Sequence, residues 1–227
     1  MPAPRDDPDP PPLTRAQRDV YLFFLLTFFA LVTIGVVDDF TPGKLAAPFF
    51  ILSWAILLVI HELGHALMAR ALGWRVDLIS LGFGKVRHTL RWWNMPVEIR
   101  TVPVSGFVIP RPLNLTLPKL KNCLIYAAGP GIEILLVLIL LVALGKDTML
   151  TRTDSIPVIA AQAFSVAALT GAILNLVPLS HKHSDDPADT SPGNPSDGLG
   201  MILAWFLPLS HYQALLDDTP QKDPSQP

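Results

Sequence analysis

Cysteine is almost absent from this chain. Cys123 is the only one in 227 residues, so an internal disulfide and a cysteine-based zinc site are both excluded. It lies in an apolar run and reads as a small packing residue. Charge is also scarce. Asp, Glu, Lys and Arg make up 16% of the chain, against roughly 25% in an ordinary soluble domain. The 17 basic and 19 acidic residues leave a net charge of -2, and no basic excess marks nucleic acid as a partner. No internal repeat is evident. In place of charge there is 50% hydrophobic residue and a mean hydropathy of +0.41. The charges gather at the ends and in one central segment, leaving long runs almost free of them. That distribution is a membrane protein's, with the lipid bilayer as its solvent. Any metal it holds needs His and carboxylate ligands.

The sequence predicts a helical membrane bundle with a small β element. Residues 1–19, opening MPAPRDDPDPPP, have too little apolar surface to fold and are expected as a disordered tail, as are residues 211–227. Residues 20–210 form the membrane domain. The uncharged run 20–37 is about the minimum for a span; an acidic, proline-rich leader is a poor signal-peptide n-region, so a retained helix is expected. A second span runs over 45–73, with Pro48 tolerated in its first turn. A helix from 48 to 72 would be about 37 Å long at about 1.5 Å per residue. Residues 74–119 have the β-branched, partly alternating pattern of strands broken by Gly and Pro and read as a β element on the membrane surface. The third span, 120–144, is interrupted by Gly129-Pro130-Gly131 and Glu133. A fourth covers 156–179. A polar loop, 180–196, and a short apolar piece, 199–209, follow. Nine Lys and Arg fall between Arg70 and Lys121, while the loops on the other side hold Lys44, Lys146 and Arg152. The β element and both termini are therefore expected on the cytoplasmic side of four spans. The compact size fits a bacterial cytoplasmic membrane. Trp74, Trp92 and Trp93 read as interfacial anchors, and His88 and His211 as surface residues.

The second span carries His61-Glu62-Leu63-Gly64-His65, an H-E-x-x-H pattern. On a helix, positions i and i+4 share a face, so both imidazoles can reach one metal ion. Glu62 projects about 100° around the helix and can approach a metal-bound water without ligating. The bare pattern also arises by chance on solvated helices. In an apolar span, however, three ionisable residues are costly to bury and need a partner. A metal ion supplies one, and two His, a carboxylate and a water form a common catalytic zinc set. The third ligand must come from elsewhere. Asp197, followed by Gly198 and an apolar stretch, can return to the membrane. Asp185, Asp186 and Asp189 lie in a Pro/Ser-rich loop where solvated charge is the plainer reading. His181 and His183 are two apart, a spacing that a helix would not put on one face.

Several motifs then agree in order over roughly residues 45–210. The H-E-x-x-H segment is followed by Ala66 and Ala69-Arg70. Next come Ile79-Ser80-Leu81-Gly82-Phe83-Gly84, Val104-Ser105-Gly106-Phe107-Val108, Ala128-Gly129-Pro130, and Asn175-Leu176-Val177-Pro178 with Asp197-Gly198 after it. Together they resemble the site-2 protease family of intramembrane zinc metalloproteases. The resemblance implies a three-helix catalytic core around a buried Zn2+, with His61, His65 and Asp197 as ligands. It implies Glu62 as general base, Asn175 as a polar group near the scissile carbonyl, and the Gly106-Phe107 segment as an edge that holds an unwound substrate by strand addition. The chain departs from the family at three points. Some 18 residues separate Pro178 from Asp197, so an insertion must loop out, and Asp185 stands as the other candidate. Glu133 replaces an Asn that often follows Gly-Pro, and Ser105 replaces the first glycine of a Gly-Gly pair.

The implied function is hydrolysis of peptide bonds in or near membrane-spanning segments of a membrane-protein or membrane-peptide substrate. A catalytically inactive scaffold or chaperone is the competing reading, and Glu62 argues against it because a structural zinc site needs no general base. A metal transporter ranks last, since one metal constellation does not mark a pathway. Nothing in the sequence specifies the oligomeric state.

Overall fold

The computed structural model describes residues 15–181 and 194–218. The elements, in chain order, are α1 (Arg15–Val37), a 3-10 turn (Pro42–Leu45), α2 (Ala46–Ala71), β1 (Trp74–Trp92), β2 (Met95–Pro112), α3 (Pro118–Leu144), α4 (Lys146–Leu150), α5 (Ile156–Leu176), β3 (Ser180–His181), β4 (Asn194–Pro195), α6 (Asp197–Phe206) and α7 (Leu209–Asp217). The chain is mostly helical. Among the described residues three helices are long and apolar enough to cross a membrane: Pro42–Ala71, Pro118–Leu144 and Ile156–Leu176. The apolar part of α1, Leu22–Val37, is shorter. Helices α6 and α7 meet at a bend of 104°, where Pro208 cannot continue α6. Large apolar side chains stay exposed along α1, α3 and α5, as at Phe24, Ile139 and Ile173, a surface suited to lipid tails.

Several expectations are corrected. Helix α1 begins at Arg15, and α7 continues to Asp217, so helix extends into both segments expected as tails. Tyr212, within the expected C-terminal tail, is fully buried. Trp74 is a core residue at 4% exposure rather than an interfacial anchor, whereas Trp92 and Trp93 are exposed and stack on each other. Gly129-Pro130-Gly131 does not interrupt its span. Helix α3 runs through it with Pro130 inside, because Pro130 is fully buried and packing holds the helix across the one bond that proline removes.

The chain divides into two compact units. The first takes residues 58–133 and the chain from 172 onward. Its core joins Ala66 and Ala69 of α2, Trp74, Val76 and Ile79 of β1, Met95 and Val97 of β2, Ile125 of α3 and Tyr212 of α7. Strands β1 and β2 pair antiparallel from Trp74↔Pro112 to Trp92↔Met95. Both are bent. Ile79, Ser80 and Leu81 pair with Val108, Phe107 and Gly106 on one side and with Val97, Glu98 and Ile99 on the other. Gly82 and Gly84 make the bend in β1, with φ of 95° and 84°, values that glycine adopts without a Cβ clash. The 106–108 segment pairs on one side only among the described residues. The second unit holds the earlier part of the chain to residue 57 and residues 134–171. Leu57, Val137, Ala167 and Ala168 form its core, and the Gln162 amide donates to the carbonyls of Thr148 and Thr151.

Tyr212 fixes α7 through its hydroxyl, which donates to the Ala204 carbonyl at 3.0 Å and accepts from Asn122 Nδ2 at 3.3 Å. Tyr212→Ala is expected to cost about 3–5 kcal/mol and Tyr212→Phe about 1 kcal/mol. Thermal unfolding of the detergent-purified chain measures both, and equal midpoints for wild type and Tyr212→Ala would contradict this packing.

Candidate metal centre

Helix α2 carries His61 and His65 one turn apart, as the i, i+4 spacing requires. Their rings lie 4.8 Å apart between centroids, at 81° to each other. Both are buried, at 6% and 7% exposure. Glycines make the room for them. A Cβ on Gly64 would lie 2.7 Å from the Ala128 carbonyl oxygen, and one on Gly129 would lie 2.4 Å from His65 Nε2 and 2.6 Å from His61 Nε2. So α2 and α3 approach closely at paired small residues, as membrane helices do, and the imidazole tips lie over the bare backbone of Gly129.

Asp197 arrives from the start of α6. Residues 182–193 lie outside the described chain, and with them His183, Asp185, Asp186 and Asp189; His181 enters β3 through its backbone. On either side of that stretch, β3 and β4 pair Ser180 with Pro195 and His181 with Asn194. Ser196 then fastens the return. Its N–H donates to the Leu179 carbonyl at 2.8 Å, and its hydroxyl donates to the Val177 carbonyl at 2.7 Å. The same oxygen accepts from Leu179 N at 3.0 Å and, as the N-cap of α6, from Leu199 N at 3.3 Å. A Cβ on Gly198 would lie 1.9 Å from the Leu176 carbonyl oxygen, so only glycine fits beside Asp197. The long spacing from Pro178 to Asp197 is thereby spanned, and Asp197 sits beside the histidines.

Three side chains converge. His61 Nε2 lies 2.9 Å from Asp197 Oδ2, His65 Nε2 3.2 Å from Asp197 Oδ1, and the two Nε2 atoms 3.1 Å apart. Those separations are close to the ligand-to-ligand edge of a tetrahedral site with bonds of about 2.0–2.1 Å, roughly 3.3 Å. The protonation pattern points the same way. His65 Nδ1 donates to the Ile125 carbonyl at 2.6 Å, because a carbonyl only accepts. In a neutral ring that leaves a lone pair on Nε2, facing a carboxylate that also only accepts. A cation fits this donor set, and His61, His65 and Asp197 form a group able to hold one.

Glu62 is 4% exposed, and its Oε2 has no hydrogen-bond partner among the described residues. It lies within electrostatic reach of His61, His65 and Asp197. The 104–108 segment comes up to it: a Cβ on Gly106 would lie 2.7 Å from Glu62 Oε1 and 2.7 Å from the Ser80 carbonyl oxygen. Asn175 is half-buried in the last turn of α5 and is not among the groups whose contacts tie the site together. Glu133 is 3% exposed, with its Oε2 3.4 Å from His61 Nδ1. The sequence marked Glu133 as a departure, a carboxylate near the core with either a salt-bridge partner or an effect on substrate fit, without naming the partner; the structure sets it against His61. The sequence missed the Ile125 carbonyl and the Ser196 staple. The Ser-Asp-Gly order, a capping residue ahead of an apolar run, was the signal for the second; a backbone carbonyl leaves no signal.

The sequence profile of Peptidase family M50 matches residues 49–188. The chain belongs to this family. Its M50 segment contains His61, Glu62, His65, Gly129 and Glu133, and Asp197 follows just beyond the matched residues. Among curated proteins, this M50 chain is 27% identical over 136 residues to a Campylobacter jejuni protein named "Putative zinc metalloprotease", covering 54% of this chain and 36% of that one. It is 43% identical over 54 residues to a Nostoc protein of the same description, covering 24% and 15%. It is 41% identical over 61 residues to the regulator of sigma-E protease RseP of Salmonella typhimurium, covering 26% and 13%. The M50 chain thus spans little more than a third, or less, of the length of these relatives.

Gly129→Ala places a methyl on both imidazole tips and is expected to abolish zinc uptake, measured as metal per chain after purification. Ser196→Ala removes a cap worth about 1 kcal/mol and is expected to lower zinc retention during dialysis against chelator. Wild-type retention in both variants would contradict the described seating of the three side chains.

Proposed function

We propose that this chain is a zinc metalloprotease of the site-2 type that hydrolyses peptide bonds in or near the membrane-spanning segments of membrane proteins. The observation that carries the proposal is the convergence of Asp197, from the start of α6, on His61 and His65 of a helix long and apolar enough to cross a membrane, beside Glu62, whose buried Oε2 has no hydrogen-bond partner among the described residues. Family membership and the relatives' names support the same reading.

In this reading His61, His65 and Asp197 hold Zn2+. The ion, when bound, acidifies a water and polarises the substrate carbonyl. Glu62 removes a proton from the attacking water and delivers it to the leaving amine. Its burial and its free Oε2 suit that exchange. Asn175 donates to the carbonyl oxygen as charge builds there. The substrate must unwind, because a helix keeps its carbonyls in its own hydrogen bonds. The one-sided pairing of residues 106–108 offers an extended backbone edge on which an unwound segment adds as a strand, and Gly106 brings that edge against Glu62. The excess of Lys and Arg between residues 70 and 121 supports a cytoplasmic β element, with both termini on that side if α1 and the bent α6–α7 pair are accommodated in the membrane. An inactive scaffold has no use for a buried Glu62 whose Oε2 has no partner among the described residues, and no observation favours it.

Purified wild type is expected to carry about one zinc per chain. His65→Ala and Asp197→Ala are expected to lose it, and Asp185→Ala to keep it. Glu62→Gln should retain the metal while cleavage of a membrane-segment substrate falls about 100- to 10,000-fold. A wild-type chain purified without metal stripping that holds no zinc would sink the protease reading.

A further inference from the structure

The two histidines are not held alike. His65 has its outer nitrogen fixed by a backbone carbonyl, that of Ile125. Among the described residues no backbone group does this for His61. Its Nδ1 is buried and has no hydrogen-bond partner among the described residues, and the same holds for Glu133 Oε2. These two unpartnered atoms face each other at 3.4 Å, ion-pair distance and slightly longer than an aligned hydrogen bond. A carboxylate buried at 3% exposure in a membrane-length helix is expensive. It comes from the turn of α3 directly after Gly129, whose bare backbone faces the Nε2 atoms. One face of α3 thus clears room for the inner nitrogens and sets an acid against the outer nitrogen of His61.

The consequence concerns the tautomer of His61. With the proton on Nε2, His61 donates to Asp197 and has no lone pair for a metal. With the proton on Nδ1, Nε2 joins His65 Nε2 and Asp197 as a third acceptor. A metal-ligating histidine gives its second N–H to such a partner, which sets ring orientation and raises ligand basicity. We propose that Glu133 is the positioning residue for His61: its carboxylate takes the Nδ1–H, holds the ring in the tautomer whose Nε2 faces His65 and Asp197, and so sets the zinc affinity of the site. This inference rests on the zinc reading above. It assigns to Glu133 a role that the Ile125 carbonyl plays for His65.

The test uses the full chain in detergent, with Glu133→Gln and Glu133→Leu. Zinc affinity is read by competition with a chromophoric chelator, and thermal unfolding is read on the metal-stripped protein. Glu133→Leu is expected to bind zinc about 10- to 100-fold more weakly. Glu133→Gln, whose amide oxygen still accepts the Nδ1–H, is expected to fall between Glu133→Leu and wild type. The metal-free midpoint should stay level or rise in Glu133→Leu, because the variant removes a buried acid. Weaker zinc binding without lost metal-free stability separates positioning from packing. Wild-type zinc affinity in Glu133→Leu overturns the proposal, and so does a metal-free midpoint that drops along with affinity. If wild type itself binds no zinc, the protease reading falls first and takes this inference with it; if wild type binds and Glu133→Leu matches it, only this inference falls.

Discussion

The site depends on how near two apolar helices can come. At Gly64 of α2 and Ala128-Gly129 of α3 the backbones nearly touch. Lipid tails are as apolar as leucine, so helices in a membrane gain little from burying apolar surface against one another. Close van der Waals packing at small residues drives their association instead. Here the same approach has a second effect. It places two imidazole tips over a glycine with no side chain, where a Cβ would lie within 2.6 Å of both Nε2 atoms. Any larger residue at 129 would collide with both imidazole tips.

Around that contact the polar groups follow from cost. An ionisable side chain in an apolar span must find a partner, and each one here is placed accordingly. His65 meets a carbonyl, His61 meets two carboxylates, and Asp197 meets both rings. His61 Nδ1 and Glu133 Oε2 lack a hydrogen bond but face each other at ion-pair distance, whereas the buried Glu62 Oε2 has neither kind of partner among the described residues. In a region where unpaired polar atoms are penalised, that atom is the most informative one in the site. Its exposure is low enough that solvent does not explain it, and its neighbour Gly106 belongs to a strand edge that still has hydrogen bonds to give.

Much of this was legible in the residues, for identifiable reasons. The H-E-x-x-H spacing is a periodicity statement, and helical periodicity survives any tertiary context. The strand content of residues 74–112 followed from branched and alternating side chains, although the bend that lets Ile79–Leu81 pair on both sides did not; it depends on Gly82 and Gly84 adopting positive φ, which many glycines do not. Gly129-Pro130-Gly131 was misread because local propensity argues for a break, while burial of Pro130 between packed elements holds the helix. Helix α7 was missed because its sequence is mixed in polarity, while the feature that ties it to the fold is a single buried side chain, Tyr212, in the core. Carbonyl partners such as Ile125 are invisible in principle, since every residue has one.

The pairing of Ser180 with Pro195 and of His181 with Asn194 has one more consequence. The chain leaves and re-enters the described structure at adjoining points, and Ser196 locks the re-entry before Asp197 begins. The geometry of the carboxylate is therefore indifferent to how much sequence lies between. Closing a loop costs entropy only as the logarithm of its length, so the β3–β4 pairing and the Ser196 contacts, rather than a count of residues, set where Asp197 begins.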